Sequence, residues 1–160
     1  MTMYLDALET VQERIEKSGQ SVPQPCFGKR VDRFKETIAR HFPFSLPGDV
    51  ENFLLRSNGL EWKGVVFLGV DDDSENGAFN DFGGGNGLLG HNSPIGIPRE
   101  KLTLLYLGYS DMDKYVYDSE EDEYLIVDED TGQPRETFST FDELLTSVLT
   151  ELLEADEENE

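Results

Sequence analysis

The chain has 160 residues, 37% hydrophobic and 11% aromatic, enough for one buried core and too many for a disordered chain. Thirteen Lys and Arg stand against 34 Asp and Glu, a formal net charge of −21. A surface of that sign repels phosphates and anionic headgroups, so no nucleic-acid partner and no membrane partner is expected.

The first amphipathic pattern covers 3–18. Tyr4, Leu8, Val11 and Ile15 share one helical face, and Gly19 is a stop. Residues 20–28 hold Pro23, Pro25 and Gly28 and predict a loop. A second helix fits 30–41, with Val31, Phe34, Ile38 and Phe42 on its inner side and Pro43 ending it. Pro47 is preorganised for the first turn of a third helix. Its inner face is Val50, Phe53, Leu54 and Ser57, and Asn58-Gly59 closes it.

The period then changes. Residues 64–70 are apolar and β-branched and predict a buried strand. Residues 71–99, rich in Gly, Asp and Asn, predict a long loop or a set of short elements. Strands follow at 102–107, 114–118 and 123–127, the last two joined as a hairpin through Ser119-Glu120-Glu121-Asp122. After a turn at 128–132, a short strand falls near 135–138. Thr140 and Glu143 form a capping box for the final helix. Its apolar stripe runs Phe141, Leu144, Leu145, Val148, Leu149, Leu152 and Leu153. The acidic end lies at the negative pole of the helix dipole, so 155–160 are expected to fray. Helices, a strand meander and a helix predict an α+β fold, with a mainly antiparallel sheet and one domain over 1–154.

Cys26 is the lone cysteine, so neither a disulfide framework nor a cysteine zinc site is expected. No stretch approaches the roughly 20 apolar residues of a membrane span, and the start lacks a basic-then-apolar signal. A soluble cytoplasmic protein is the expectation. Gly85-Asn86-Gly87-Leu88-Leu89-Gly90 spells G-x-G-x-x-G. No predicted strand leads into it, and Asn92-Ser93-Pro94 breaks any helix that would face a pyrophosphate, so a glycine-rich turn is expected. Asp72, Ser74, Asn76 and Gly77 fall at calcium-loop positions, but Gly83 stands where the bidentate Glu belongs. An acidic turn is therefore expected there and at Asp128-Glu129-Asp130, with weak calcium binding as the lesser reading. His41 ends a predicted helix, where an imidazole suits the dipole, and shares no motif with His91. No catalytic set, metal ligand or cofactor is expected.

Leu46-Pro47-Gly48-Asp49-Val50-Glu51-Asn52-Phe53-Leu54, followed by Ser57-Asn58-Gly59-Leu60, resembles the LP…NG signature of the SUKH (Smi/Knr-like) superfamily. Residues 64–68 fit that family's first strand, and 105–117 its central strand, loop and strand. Residues 123–128 and 138–145 also match, most closely in the bacterial YrhA-like branch. The similarity covers about residues 30–153; the glycine-rich loop at 83–90 has no place in it. The resemblance implies a mainly antiparallel sheet packed on helices. It implies immunity proteins that neutralise toxins, often nucleases or nucleic-acid deaminases; fungal relatives act as scaffolds. It brings no catalytic residues, and Pro47, Leu54 and Asn58-Gly59 become architectural.

Residues 1–80 hold 13 acids and 9 bases, whereas 81–160 hold 21 and 4. Lys29, Arg30, Arg33, Lys35 and Arg40 form a local basic exception. A nuclease cleft is basic, so an acidic surface competes there with nucleic acid. The expected contact groups are Asp71, Asp72, Asp73 and Glu75 on one loop, and Glu120, Glu121, Asp122 and Glu123 on the hairpin turn. Trp62 joins them as a hot-spot anchor if exposed, and is core otherwise. The expected function is non-enzymatic immunity against a protein toxin with a basic surface. The alternative is an adaptor for endogenous partners.

Overall fold

Each of the first three helices buries one narrow apolar stripe, as its spacing requires. In the computed structural model, which describes residues 4–71, 87, 88, 92 and 98–158, α1 spans Leu5–Lys17 and buries Leu8, Val11 and Ile15. Helix α2 (Gly28–His41) buries Val31, Phe34 and Ile38. Helix α3 (Gly48–Arg56) starts after Pro47 and buries Val50, Phe53 and Leu54. The chain leaves α3 through Gly59, at φ +87°, where a Cβ would lie 2.7 Å from the Phe67 carbonyl oxygen. Both the backbone angle and the space there demand glycine.

The strand expected over 64–70 is confined to 65–67 and forms the second arm of a hairpin. Strand β1 (Leu60–Trp62) pairs antiparallel with β2 (Val65–Phe67). Lys63 at φ 50° and Gly64 at φ 84° make the two-residue turn, since two consecutive positive φ values follow the twist of the flanking strands. Four longer strands complete the meander: β3 (Leu104–Tyr109), β4 (Asp113–Asp118), β5 (Glu123–Asp128) and β6 (Pro134–Phe138). Among the described residues the sheet has six strands in the order β1-β2-β3-β4-β5-β6, every pair antiparallel. The class is α+β, with helices before and after the sheet.

Helix α4 (Phe141–Glu158) closes the fold. The Thr140 hydroxyl accepts the Glu143 N–H at 3.2 Å, and the Glu143 carboxylate accepts the Ser139 N–H at 3.2 Å, so the capping box forms with its return bond displaced by one residue. The helix does not stop at 154: the end expected to fray is helical through Glu158. Asp156 explains the extension. Its carboxylate is bridged by Arg14 of α1 and, at 2.8 Å, by Lys63 of the β1–β2 turn. Two cations thus offset the unfavourable dipole at that helix end.

The core lies between the helices and one face of the sheet. Phe53 meets Phe141 with ring centroids 5.6 Å apart, and Phe141 meets Phe67 at 6.1 Å. Leu54, Leu144, Leu145 and Leu149 are completely buried. Each such side chain stabilises the fold by about 1.5–3 kcal/mol. Tyr4 is also buried, edge-on to Phe53 at 6.0 Å; burial first, then the Asp142 charge, pushes its hydroxyl up to about 12. Among the described residues no helix is long and apolar enough to cross a membrane.

Candidate functional site

The β4–β5 turn presents the acidic residues expected there as a braced tip. Asp118 and Glu123 pair across its base. Asp118 Oδ1 accepts the backbone N–H groups of Glu120 at 3.0 Å and Glu121 at 3.4 Å. An aspartate that binds the amides two and three residues ahead fixes a turn locally. Ser119 donates its N–H and its hydroxyl to the Thr103 carbonyl, at 2.9 and 2.7 Å, and ties the turn to the segment before β3. Asp122 takes a left-handed backbone, φ 52°, and accepts the Tyr117 hydroxyl at 3.1 Å. Burial, and then that bond, raise the Tyr117 hydroxyl pKa. The result is an exposed Glu120-Glu121-Asp122 tip and a half-buried Glu123.

The other expected contacts divide differently. Asp71 is 9% exposed, and its carboxylate accepts the Gly87 N–H at 3.1 Å. Its carbonyl accepts Arg30 Nη2 at 2.9 Å. Asp71 therefore faces inward and organises the local chain; it is not an exposed contact. Asp72, Asp73 and Glu75 lie outside the described residues, as do Ser74, Asn76, Gly77, Gly83 and His91. Trp62 is 6% exposed and belongs to the core, so the condition for a surface anchor is not met. Its inward direction follows from the hairpin, which turns Leu60 and Trp62 to one face and Glu61 to the other.

The glycine-rich motif is described only at Gly87 and Leu88. The Leu88 N–H donates to the Gly69 carbonyl at 2.8 Å, and the Leu88 side chain is buried. These two residues dock on the chain leaving β2. At Asp128–Asp130, Asp128 Oδ1 accepts the N–H groups of Asp130 at 2.9 Å and Thr131 at 3.0 Å, so the turn uses that oxygen internally. Among the described residues no group of three or more His, Cys, Asp or Glu is placed to hold a metal ion.

Sequence reasoning missed the outer face of the sheet. Strand β3 puts Leu104, Tyr106 and, past a bulge between Tyr106 and Gly108, Tyr109 on the solvent side at 38, 37 and 39% exposure. The signal was the run Leu104-Leu105-Tyr106-Leu107, apolar at positions of both parities. A strand apolar on both sides has a second surface to cover. No protein-family model matches this chain, and no curated protein matches it.

Proposed function

We propose that the protein is a non-enzymatic immunity protein that binds and blocks a toxin with a basic surface. The observation that supports this reading is the braced, exposed Glu120-Glu121-Asp122 tip on a chain of net charge −21. A rigid acidic projection attracts a basic cleft before contact and loses little conformational entropy on docking. The likeness of the Leu46–Leu60 signature to SUKH immunity proteins points the same way. Binding alone suffices to exclude nucleic acid from such a cleft.

The test pairs the chain with the product of the reading frame adjoining its gene. Support is rescue of cells killed by that product, a direct complex of the purified proteins, and association that slows as salt rises. Reversing the tip with Glu120→Lys and Glu121→Lys should then slow association at low salt by about tenfold. Absence of rescue and of a complex overturns the immunity reading in favour of an adaptor. Rescue with an unchanged association rate after reversal overturns the role of the tip.

A further inference from the structure

Strand register assembles the outer face row by row. Tyr106, Val116, Leu125 and Thr137 lie side by side across β3 to β6. The next row is Val66, Tyr109, Lys114 and Val127. The opposite face, with Leu105, Tyr115, Tyr117, Tyr124 and Ile126, belongs to the helix-covered core. At one end of the outer face opens a recess of about 390 Å³, lined among the described residues by Leu68, Tyr106, Gly108, Tyr109, Lys114 and Glu129. That volume lies within the range of about 300–1,000 Å³ typical of ligand pockets. Lys114 Nζ lies 5.6 Å from the centroid of the Tyr106 ring, so the ring face already holds a cation. The exposed Glu129 is positioned by its N–H, which donates to the Met112 carbonyl at 2.9 Å.

We infer that this recess receives an arginine side chain from a basic protein segment lying across the outer face of the sheet. Charge selects the occupant. The face ends in Asp118, Glu120, Glu121 and Glu123 on one side and in Glu129 and Asp130 on the other, so an anionic ligand meets repulsion at both ends. A second copy would bring another −21. The chemistry of the recess selects arginine over lysine. A guanidinium is planar, stacks on a tyrosine face and still offers paired N–H donors to a carboxylate; an ammonium is a point charge with a tight hydration shell. Tyr106 supplies the ring and Glu129 the carboxylate. Lys114 marks the cation position and is displaced when arginine enters. The inference deepens the binding function proposed above and rests on it for the partner being a protein.

The test needs no toxin, so it fails or succeeds separately from the rescue experiment. The full chain, labelled with nitrogen-15, is titrated with a capped pentapeptide holding two arginines around a tryptophan, and with its lysine counterpart. The arginine peptide should shift the amides of Tyr106, Gly108, Tyr109, Lys114 and Glu129 saturably and bind about three- to fivefold more tightly than the lysine peptide. Tyr106→Leu keeps the surface apolar and should abolish that preference. Lys114→Gln removes the resident cation and should strengthen arginine-peptide binding. Equal affinity for the two peptides, or shifts confined to the Glu120–Glu121 tip, overturns the inference in favour of bulk charge attraction. Weaker binding in Lys114→Gln, or a dimer that protects these amides in the absence of peptide, overturns it in favour of a carboxylate ligand or a second copy.

Discussion

The Phe67 ring lies almost parallel to the Tyr115 ring, with centroids 4.9 Å apart and 14° between planes, and Gly108 stands between the two residues in the sheet register. The glycine makes the stack possible. A Cβ at Gly108 would lie 2.2 Å from the Val66 carbonyl oxygen and 3.1 Å from Tyr115 Cδ2. The oxygen is backbone and cannot swing aside. Gly108→Ala should therefore cost about 3 kcal/mol or more, read as a lower urea midpoint at unchanged slope.

The Asn92 side chain binds the backbone edge of Tyr106 as a neighbouring strand would. Among the described residues the backbone bonding of β2 to β3 ends with the Leu68 N–H, which donates to the Leu107 carbonyl at 2.9 Å, one residue short of Tyr106. Asn92 Oδ1 accepts the Tyr106 N–H at 2.7 Å, and Nδ2 donates to the carbonyls of Tyr106 and Leu88, both at 2.8 Å. Asn92→Ala should destabilise by about 1–3 kcal/mol by stripping sheltered backbone groups of partners. Asn92→Asp keeps the acceptor but points a carboxylate at two carbonyls. Its deficit against wild type in chemical denaturation should shrink as pH falls toward about 4, the unfolded carboxyl value, as the acid regains a donor.

Asp156 predicts a loss of stability in acid. Its hydrogen bond from Lys63, and then that from Arg14, hold its pKa below the usual carboxylate range. A depressed folded-state pKa contributes stability that is present above the unfolded value, about 3.9, and is lost as pH falls through the folded one. Asp156→Asn should lower the melting temperature at neutral pH and leave it unchanged in strong acid.

Asp142 predicts the opposite. Burial, and then the charge of Asp49, raise its pKa. A raised folded-state pKa contributes stability that is present below the unfolded value and lost as pH rises through the folded one. Asp142→Asn should raise the melting temperature at neutral pH, with the gain vanishing in acid. Thermal unfolding of both variants across pH gives two curves of opposite sign.

The acidic tip should be separable from stability. Asp118 holds Glu120 and Glu121 through their backbone amides, and both residues are exposed. Glu120→Lys with Glu121→Lys should change unfolding free energy by no more than about 0.5 kcal/mol per site.

Local chemistry determined much of this protein directly from sequence. The helical stripes at Leu8, Val11 and Ile15 and at Val31, Phe34 and Ile38 are periodic, and periodicity is a property of neighbours. The Ser119–Asp122 turn was legible for the same reason, because Asp118 binds amides two and three residues away. Only the tertiary structure decided the rest. Asp71 reads as an exposed acid until Gly87 and Arg30 close over it. The acidic end of the last helix reads as frayed until Arg14, 142 residues earlier, bridges Asp156. The Lys63-Gly64 turn was hidden because the partner of the β-branched run is the short Leu60-Glu61-Trp62 segment just before it, which carries no strand pattern of its own. The outer face with Tyr106 and Tyr109 exists only because the described helices bury the sheet's other side. Burial and pairing depend on residues distant in the chain, so the local pattern of either partner cannot announce them.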